Sequence, residues 1–279
     1  MQIKVKTPAK INLTLEMVNR RPDGFHNIKS VMQLIDLYDF LTISAEKSDK
    51  LEINLSGTSD EIPYNEKNLV YKATKLYVDT VGITDYKFDI HIEKNIPISA
   101  GLAGGSTNAA GTIYGLNKLF DERLSDEELH NLCATLGSDL NVCLGGGCLL
   151  ATSRGEVIEK LPFREYNVSL IKPIELGISA KEAYTKYSQL ENKPDYDMTG
   201  KMIDALKIGT DVRQFLYNDL ETAVFDDYQE LQEIKKEYPN SIMSGSGSTY
   251  FVLNSSFNEK DGHWIKNGLK FISTGVELV

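Results

Sequence analysis

Pro97-Ile98-Ser99-Ala100-Gly101-Leu102-Ala103-Gly104-Gly105-Ser106-Thr107-Asn108-Ala109-Ala110 is the segment on which the reading of this chain turns. Glycines 101, 104 and 105 stand directly ahead of Ser106 and Thr107, and Ala109-Ala110 open an apolar helical pattern. Glycine lets a backbone turn its N–H groups inward with no Cβ in the way. A helix start adds unpaired N–H donors and the positive end of the dipole, so loop and helix together make an anion cradle. The paired hydroxyls suit a phosphate-bound Mg²⁺. The segment is expected to hold a nucleotide triphosphate; the plain alternative is a glycine-rich turn capping a buried helix. It has neither the Gly-Lys-Ser/Thr ending of a Walker loop nor the spacing of a dinucleotide fingerprint.

Periodicity organises the chain around this loop. On one side, Phe88, Ile90 and Ile92 alternate with Asp89, His91 and Glu93 as a strand leading into it, with His91 on the polar, solvated face. On the other, residues 108–120 read as a helix, and Ser125-Asp126-Glu127-Glu128 is a capping box opening the next, which stops at Gly137. A short element begins at Asp139, and a strand follows over 148–152. Upstream, Ile11, Leu13 and Leu15 alternate with Lys10, Asn12 and Thr14, a half-buried strand whose polar face carries a lysine and an amide. Strand patterns recur at 28–34, 40–45 and 51–55, and the spacing predicts a helix over 68–81. The second half reads as strand, helix, helix, strand, helix, strand, with one long helical pattern over 220–237 and a second glycine-serine loop, Ser244-Gly245-Ser246-Gly247-Ser248-Thr249, before a strand at 250–253. The whole is expected to be α+β, with mixed and antiparallel sheets carrying packed helices. A boundary near 154–164 divides it into residues 1–157 and 158–279.

With 279 residues, 41% of them hydrophobic, the chain can bury one large core or two adjoining ones. Its net charge of −10 argues against a nucleic-acid surface. The N-terminal residues lack the apolar core of a signal peptide, and no run approaches the ~20 apolar residues of a bilayer span. Cys133, Cys143 and Cys148 have neither zinc nor disulfide spacing, which points to a reducing cytoplasm and to no protein-held metal site.

Phosphoryl transfer needs charge stabilisation around the phosphates and a group that positions or deprotonates the attacking hydroxyl. Asp139, after Gly137-Ser138, is the candidate for the second role; its alternative is a helix cap. Lys10 is its natural partner, able to polarise a hydroxyl held between them, or else a solvent-facing lysine on a strand. Phe25 and His26, after a Pro22-Asp23-Gly24 turn, could stack on and hydrogen-bond a base; the alternative is a Phe anchoring the turn.

Pro8-Ala9-Lys10-Ile11-Asn12-Leu13, Pro22-Asp23-Gly24-Phe25-His26, the glycine segment, Leu136-Gly137-Ser138-Asp139, Arg154-Gly155-Glu156 and Met243-Ser244-Gly245-Ser246-Gly247-Ser248-Thr249 together resemble, in order and spacing, the GHMP kinase superfamily. The Pro-Asp-Gly-aromatic-His element is similar to the branch whose acceptor is a cytidine-diphosphate-linked methylerythritol. The resemblance implies a two-domain fold with the active site in the interdomain cleft, and ATP with Mg²⁺ bound mainly through the phosphates. It implies Asp139 as base and Lys10 as its partner. Pro97, Ile98, Ser99, Ala100, Gly101, Leu102, Ala103, Gly104, Gly105, Ser106 and Thr107 would hold the triphosphate, and Asn68, Leu69 and Val70 would lie near the adenine. Phe25, His26 and Tyr184 would hold the cytosine, and Asn12 and Asp139 would contact the acceptor. The second glycine-serine loop would close on phosphates or acceptor. The protein is expected to work as a cytoplasmic monomer or weak homodimer, without nucleic acid or membrane.

Three positions depart from the family pattern: Ala103 for a usual glycine, Asn141 for a proline, and Ser248 for a proline or alanine. Alanine at 103 is harmless at negative φ and costly otherwise. These departures leave two other readings: a kinase of the superfamily acting on a different alcohol, and a silent nucleotide-binding homologue.

Overall fold

The computed structural model describes residues 1–190 and 196–279. In chain order come β1 (Gln2–Asn12), β2 (Thr14–Arg20), β3 (His26–Lys47), β4 (Glu52–Gly57), α1 (Leu69–Val81), β5 (Tyr86–Glu93), α2 (Gly104–Leu119), α3 (Asp126–Leu136), α4 (Leu140–Gly145), β6 (Cys148–Ser153) and β7 (Val157–Lys160). There follow β8 (Asn167–Pro173), α5 (Ala180–Gln189), α6 (Met198–Ile208), β9 (Tyr217–Asn218), α7 (Asp219–Val224), α8 (Gln229–Glu237), β10 (Ile242–Met243), β11 (Tyr250–Leu253), β12 (His263–Lys270) and β13 (Glu277–Leu278).

The two strand patterns at 28–34 and 40–45 are halves of one 22-residue strand, β3. Nothing between them breaks a strand, because Asp39 is satisfied in place. Its carboxylate pairs with Lys94 and accepts from the backbone N–H of Asn95 (2.7 Å) and Ile96 (2.8 Å). The length of β3 lets it join antiparallel to β1 along most of its course, to β5 at residues 40–47, to β6 at 28–33 and to β2 at its start. The ladder with β1 slips between Pro8 and Ala9, where proline has no N–H to give.

Helices α1 to α4 cover one face of this sheet, burying Val5, Leu41, Ile43, Phe88, Ile90, Ile113 and Leu116. Asn68 caps α1 through its side chain onto the Val70 N–H (2.9 Å), and Ser125 and Glu128 complete the capping box of α3. Close approach of α2 to the sheet needs glycine: a Cβ on Gly111 would lie 2.3 Å from the Thr7 methyl.

The second sheet, β10-β11-β8-β12, is antiparallel, and it shares cores with β1, β2 and β3 through Ile11, Leu13, Leu170 and Phe251 and through Leu15, Met32, Ile171 and Tyr250. The two sheets are also stitched by the chain itself: β13 pairs with β1, β9 runs parallel to β2, and Ile35 bridges Phe271.

The single helix expected over 220–237 is two. α7 ends in a 3-10 turn at Phe225–Asp227, and Tyr228 is extended (φ −128°, ψ 109°) before α8. The interruption is paid for locally, since Gln232 donates to the freed carbonyl of Phe225 (3.1 Å) and Lys186 pairs with Asp227 (2.7 Å). Helical spacing survives because α7 and α8 bury Leu220, Val224, Leu231 and Ile234 in the same core.

Candidate active site

Residues 97–103 cross from β5 to α2 by a repeating device. Ala100 and Leu102 are buried anchors, while Ser99, Gly101 and Ala103 take positive φ of 50°, 73° and 59°. Backbone of this kind, with left-handed residues interleaved, is the pattern from which anion-binding concavities are built. The first intrahelical bond of α2 runs from the Thr107 N–H to the Ala103 carbonyl (2.9 Å), so the N–H groups of Gly104, Gly105 and Ser106 precede it. Ala103 therefore sits where glycine is at ease, at a cost of about 1 kcal/mol. Gly101 has no alternative: a Cβ there would lie 2.0 Å from the Ser244 carbonyl oxygen of the second glycine-serine loop.

That second loop joins β10 to β11 and lies against the first. The Ser244 hydroxyl donates to the Gly101 carbonyl (3.0 Å) and accepts from the Asn12 N–H (3.4 Å). Asn218 pins it from below by donating to the carbonyls of Met243 (2.6 Å) and Gly245 (2.8 Å). Ser248 donates to the Leu176 carbonyl, so its hydroxyl serves the loop and not the cleft.

The polar face of the first strand is not solvated. Lys10, Asn12 and Thr14 are 3%, 1% and 0% exposed, which makes the reading of Lys10 as a solvent-facing residue wrong. Lys10 and Asn12 line the inner wall of a cleft under the second glycine-serine loop, where a Cβ on Gly245 would lie 3.2 Å from Lys10 Nζ, and Thr14 is held by Thr199 and the Val31 N–H. Lys10 Nζ donates to Asn12 Oδ1 (2.6 Å) and stands 3.7 Å from Asp139 Oδ2, while Asn12 Nδ2 donates to Ser30 Oγ (2.9 Å). Asp139 precedes α4 but makes no side-chain cap bond, so the cap alternative falls away. Its carboxylate, 30% exposed, faces a cleft of about 930 Å³.

Gly101, Ala103 and Ser106 line this cleft at one end, and Phe25, His26 and Tyr184 at the other. The His26 ring lies 5.7 Å from Tyr184 and edge-on to Tyr187 at 6.3 Å, and its Nε2 meets Ser188 Oγ at 3.2 Å. Burial, then the negative charge of Asp139, raises the Tyr184 hydroxyl well above its ordinary pKa, so it stays protonated. Phe25 is 55% exposed, with the Arg154 guanidinium 5.4 Å above its ring, so it is a rim residue rather than a core anchor.

Other expected residues lie elsewhere. Thr107 is fully buried, so Ser106 alone of the pair lines the cleft. Pro97, Ile98, Ser99, Ala100, Leu102, Gly104 and Gly105 shape the loop without forming that wall. Asn68, Leu69 and Val70 start α1 beyond the wall, Leu69 standing 3.7 Å from where a Gly105 Cβ would be. Asn141 turns away, meeting His130 Nδ1 (3.1 Å) and donating to the Glu156 carbonyl (2.8 Å). Burial, with Asp139 adding to it, pushes the Cys143 thiol up to about 12 and leaves it unreactive at neutral pH. Sequence reading missed Arg20, Lys181 and Ser188 as cleft residues and gave Arg154 no role there; only the Arg154-Gly155-Glu156 motif hinted at it. Among the described residues no three His, Cys, Asp or Glu side chains gather into a metal ligand set, and no helix is long and apolar enough to cross a membrane.

Comparison with known proteins gives the family and the fold. Residues 68–148 match the GHMP kinases N terminal domain. A 4-diphosphocytidyl-2-C-methyl-D-erythritol kinase of Syntrophomonas wolfei is 39% identical over 88% of this chain and 87% of its own length. One of Clostridium beijerinckii is 38% identical over 90% of each. A crystal structure of 4-(cytidine 5'-diphospho)-2C-methyl-D-erythritol kinase superposes with a TM-score of 0.75 at 27% identity, covering 98% of this chain and all of that one (100%). Homoserine kinase from Cytophaga hutchinsonii shares the fold, with a TM-score of 0.76 at 17% identity over 100% of this chain and 97% of that one.

Proposed function

Because the chain belongs to the 4-diphosphocytidyl-2-C-methyl-D-erythritol kinase family, we propose that it phosphorylates the 2-hydroxyl of that cytidine-linked alcohol from ATP, yielding the 2-phosphate and ADP in non-mevalonate isoprenoid biosynthesis. One observation carries the reading: the Lys10–Asp139 pair, 3.7 Å apart, stands between a backbone anion cradle and a histidine–tyrosine pair suited to a base.

The triphosphate lies against the N–H groups of 101–106, with the adenine toward Asn68, Leu69 and Val70. His26, Phe25 and Tyr184 hold the cytosine, which leaves the methylerythritol between Asn12 and Asp139. The Asp139 carboxylate takes the hydroxyl proton as the oxygen bonds to the γ-phosphorus and the bond to the β-phosphate oxygen breaks. A positioned base of this kind contributes about 10²–10⁴ in rate. Lys10, fixed by Asn12, orients both carboxylate and hydroxyl. Among the cleft-lining residues the Ser106 hydroxyl stands at the start of α2, where it would contact a Mg²⁺ carried by the phosphates. When bound, Mg²⁺ would neutralise charge on the transferring group.

The departure at 141 does not argue for a different alcohol, since Asn141 faces His130 and not the cleft. We place the functional division at residues 1–157, which carry the phosphate loop, Lys10 and Asp139, and 158–279, which carry Tyr184 and the second loop. The enzyme acts in the cytoplasm as a monomer or weak homodimer.

The test is ADP release with ATP·Mg²⁺ and the cytidine substrate, beside mevalonate, homoserine and galactose, for the wild type and Asp139→Asn. Turnover on the cytidine substrate alone is expected, falling at least about a hundredfold in the variant with ATP still bound. Turnover on another alcohol instead would sink the substrate assignment, and an unimpaired variant would remove Asp139 as base.

A further inference from the structure

The cleft of this acidic chain is basic. Among the described residues Lys10, Arg20, Arg154 and Lys181 line it against a single lining carboxylate, Asp139, whereas the protein carries −10. Lys10 belongs to the phosphoryl-transfer centre. The other three flank the base end: Arg20 is the cross-strand partner of His26, Lys181 lies three residues before Tyr184 on α5, and Arg154 stands over Phe25 at 5.4 Å. Among the described residues Arg20 and Lys181 carry no ion pair. Arg154 Nε is 3.4 Å from Glu156 Oε1, and the Arg154 backbone N–H donates to the other oxygen of that carboxylate (2.8 Å), which ties the guanidinium to its own turn. A lysine in the first turn of α5 also opposes the helix dipole, so local helix stability does not account for Lys181. Two cations without an ion pair among the described residues, and a third anchored over an aromatic ring, are the environment of a base joined to an anion.

We infer that Arg154 is a specificity-determining residue: its guanidinium holds Phe25 over the cleft and, with Arg20 and Lys181, reads the diphosphate of the acceptor, so that the charged linker as well as the base selects the substrate. The inference rests on the acceptor reading above. A planar guanidinium can stack on a ring and present paired donors to phosphate oxygens at once, which lysine cannot.

The test is direct binding of cytidine, CMP and CDP to the full chain, without ATP. CDP is expected to bind at least about tenfold more tightly than CMP, a gap that narrows as salt rises. Arg154→Gln should shrink the CDP-to-CMP ratio about fivefold or more and leave ATP binding unchanged, with Arg154→Lys recovering only part. A ratio untouched in Arg154→Gln overturns the inference. If that variant also loses ATP, the ratio is read in Arg20→Gln and Lys181→Gln, where persistence of the full gap overturns it equally. Wild-type protein that binds ATP but none of the three cytidine ligands takes down the acceptor reading and this inference together.

Discussion

Where the cleft is proposed to hold phosphate its wall is largely backbone; where it is proposed to hold the acceptor its wall is side chains. The first is one continuous segment, 97–107, whose N–H groups are aimed by positive-φ residues and held by two buried anchors, Ala100 and Leu102. The second is assembled from β2, β3, the turn after β6, and α5, through Arg20, His26, Arg154 and Tyr184. The difference follows from the ligand parts each end is proposed to hold. A triphosphate is the same in every reaction that uses it, and backbone donors that cost no side-chain entropy suffice. An acceptor must be distinguished from other alcohols, and that takes groups with individual shapes and charges. Asp139 and Lys10 stand where the two meet.

If the phosphate end is a rigid backbone device, its foundation is the buried Lys94–Asp39 pair beneath it, since a Cβ on Gly104 would come within 3.0 Å of Lys94 Nζ. Asp39→Asn strands a buried ammonium and is expected to cost about 3–5 kcal/mol in chemical denaturation. A loss below about 1 kcal/mol would mean the loop does not depend on that base. Gly101→Ala attacks the device itself through its clash with Ser244. It should lower kcat/KM for ATP about a hundredfold while CDP binding holds, measured by initial rates and titration calorimetry. Equal damage to both ligands would show that the two ends are mechanically one.

His26→Ala probes the other side. Cytidine-ligand affinity should fall about 10–30-fold with little change for ATP, because the ring lies against Tyr184, Tyr187 and Ser188 of α5. A matching fall in ATP affinity would erase the distinction. The smallest effect sharpens it: Ala103→Gly relieves a left-handed alanine and is expected to stabilise the protein by up to about 1 kcal/mol, read as a modest rise in Tm. A destabilised variant would show that Ala103 contributes packing that outweighs its backbone strain.

Local pattern was enough for much of this molecule. The glycine loop, the caps at Asn68 and Ser125, and the apolar alternation of β5 are relations among residues a few positions apart, and such relations survive in the fold. Where distant segments decide, pattern failed. One strand looked like two because the partner of Asp39 lies 55 residues away in Lys94. The solvent-facing alternative for Lys10 stayed open because what covers it comes from the distant second loop, where a Cβ on Gly245 would lie 3.2 Å from Lys10 Nζ. One helix was expected where α7 and α8 share a core stripe but not a continuous backbone. Arg20 and Lys181 carry no local signal at all, since a cation on a strand or helix is ordinarily just surface.

By itself, then, the sequence determined most of the elements, the glycine loop and the residue types able to transfer a phosphoryl group, since these depend on backbone freedom and short-range periodicity. The tertiary structure alone decided that Lys10 and Asp139, 129 positions apart, meet at 3.7 Å, and that a chain of net charge −10 presents a basic cleft. Coulombic contacts and burial depend on distance in space, and only the folded chain sets it.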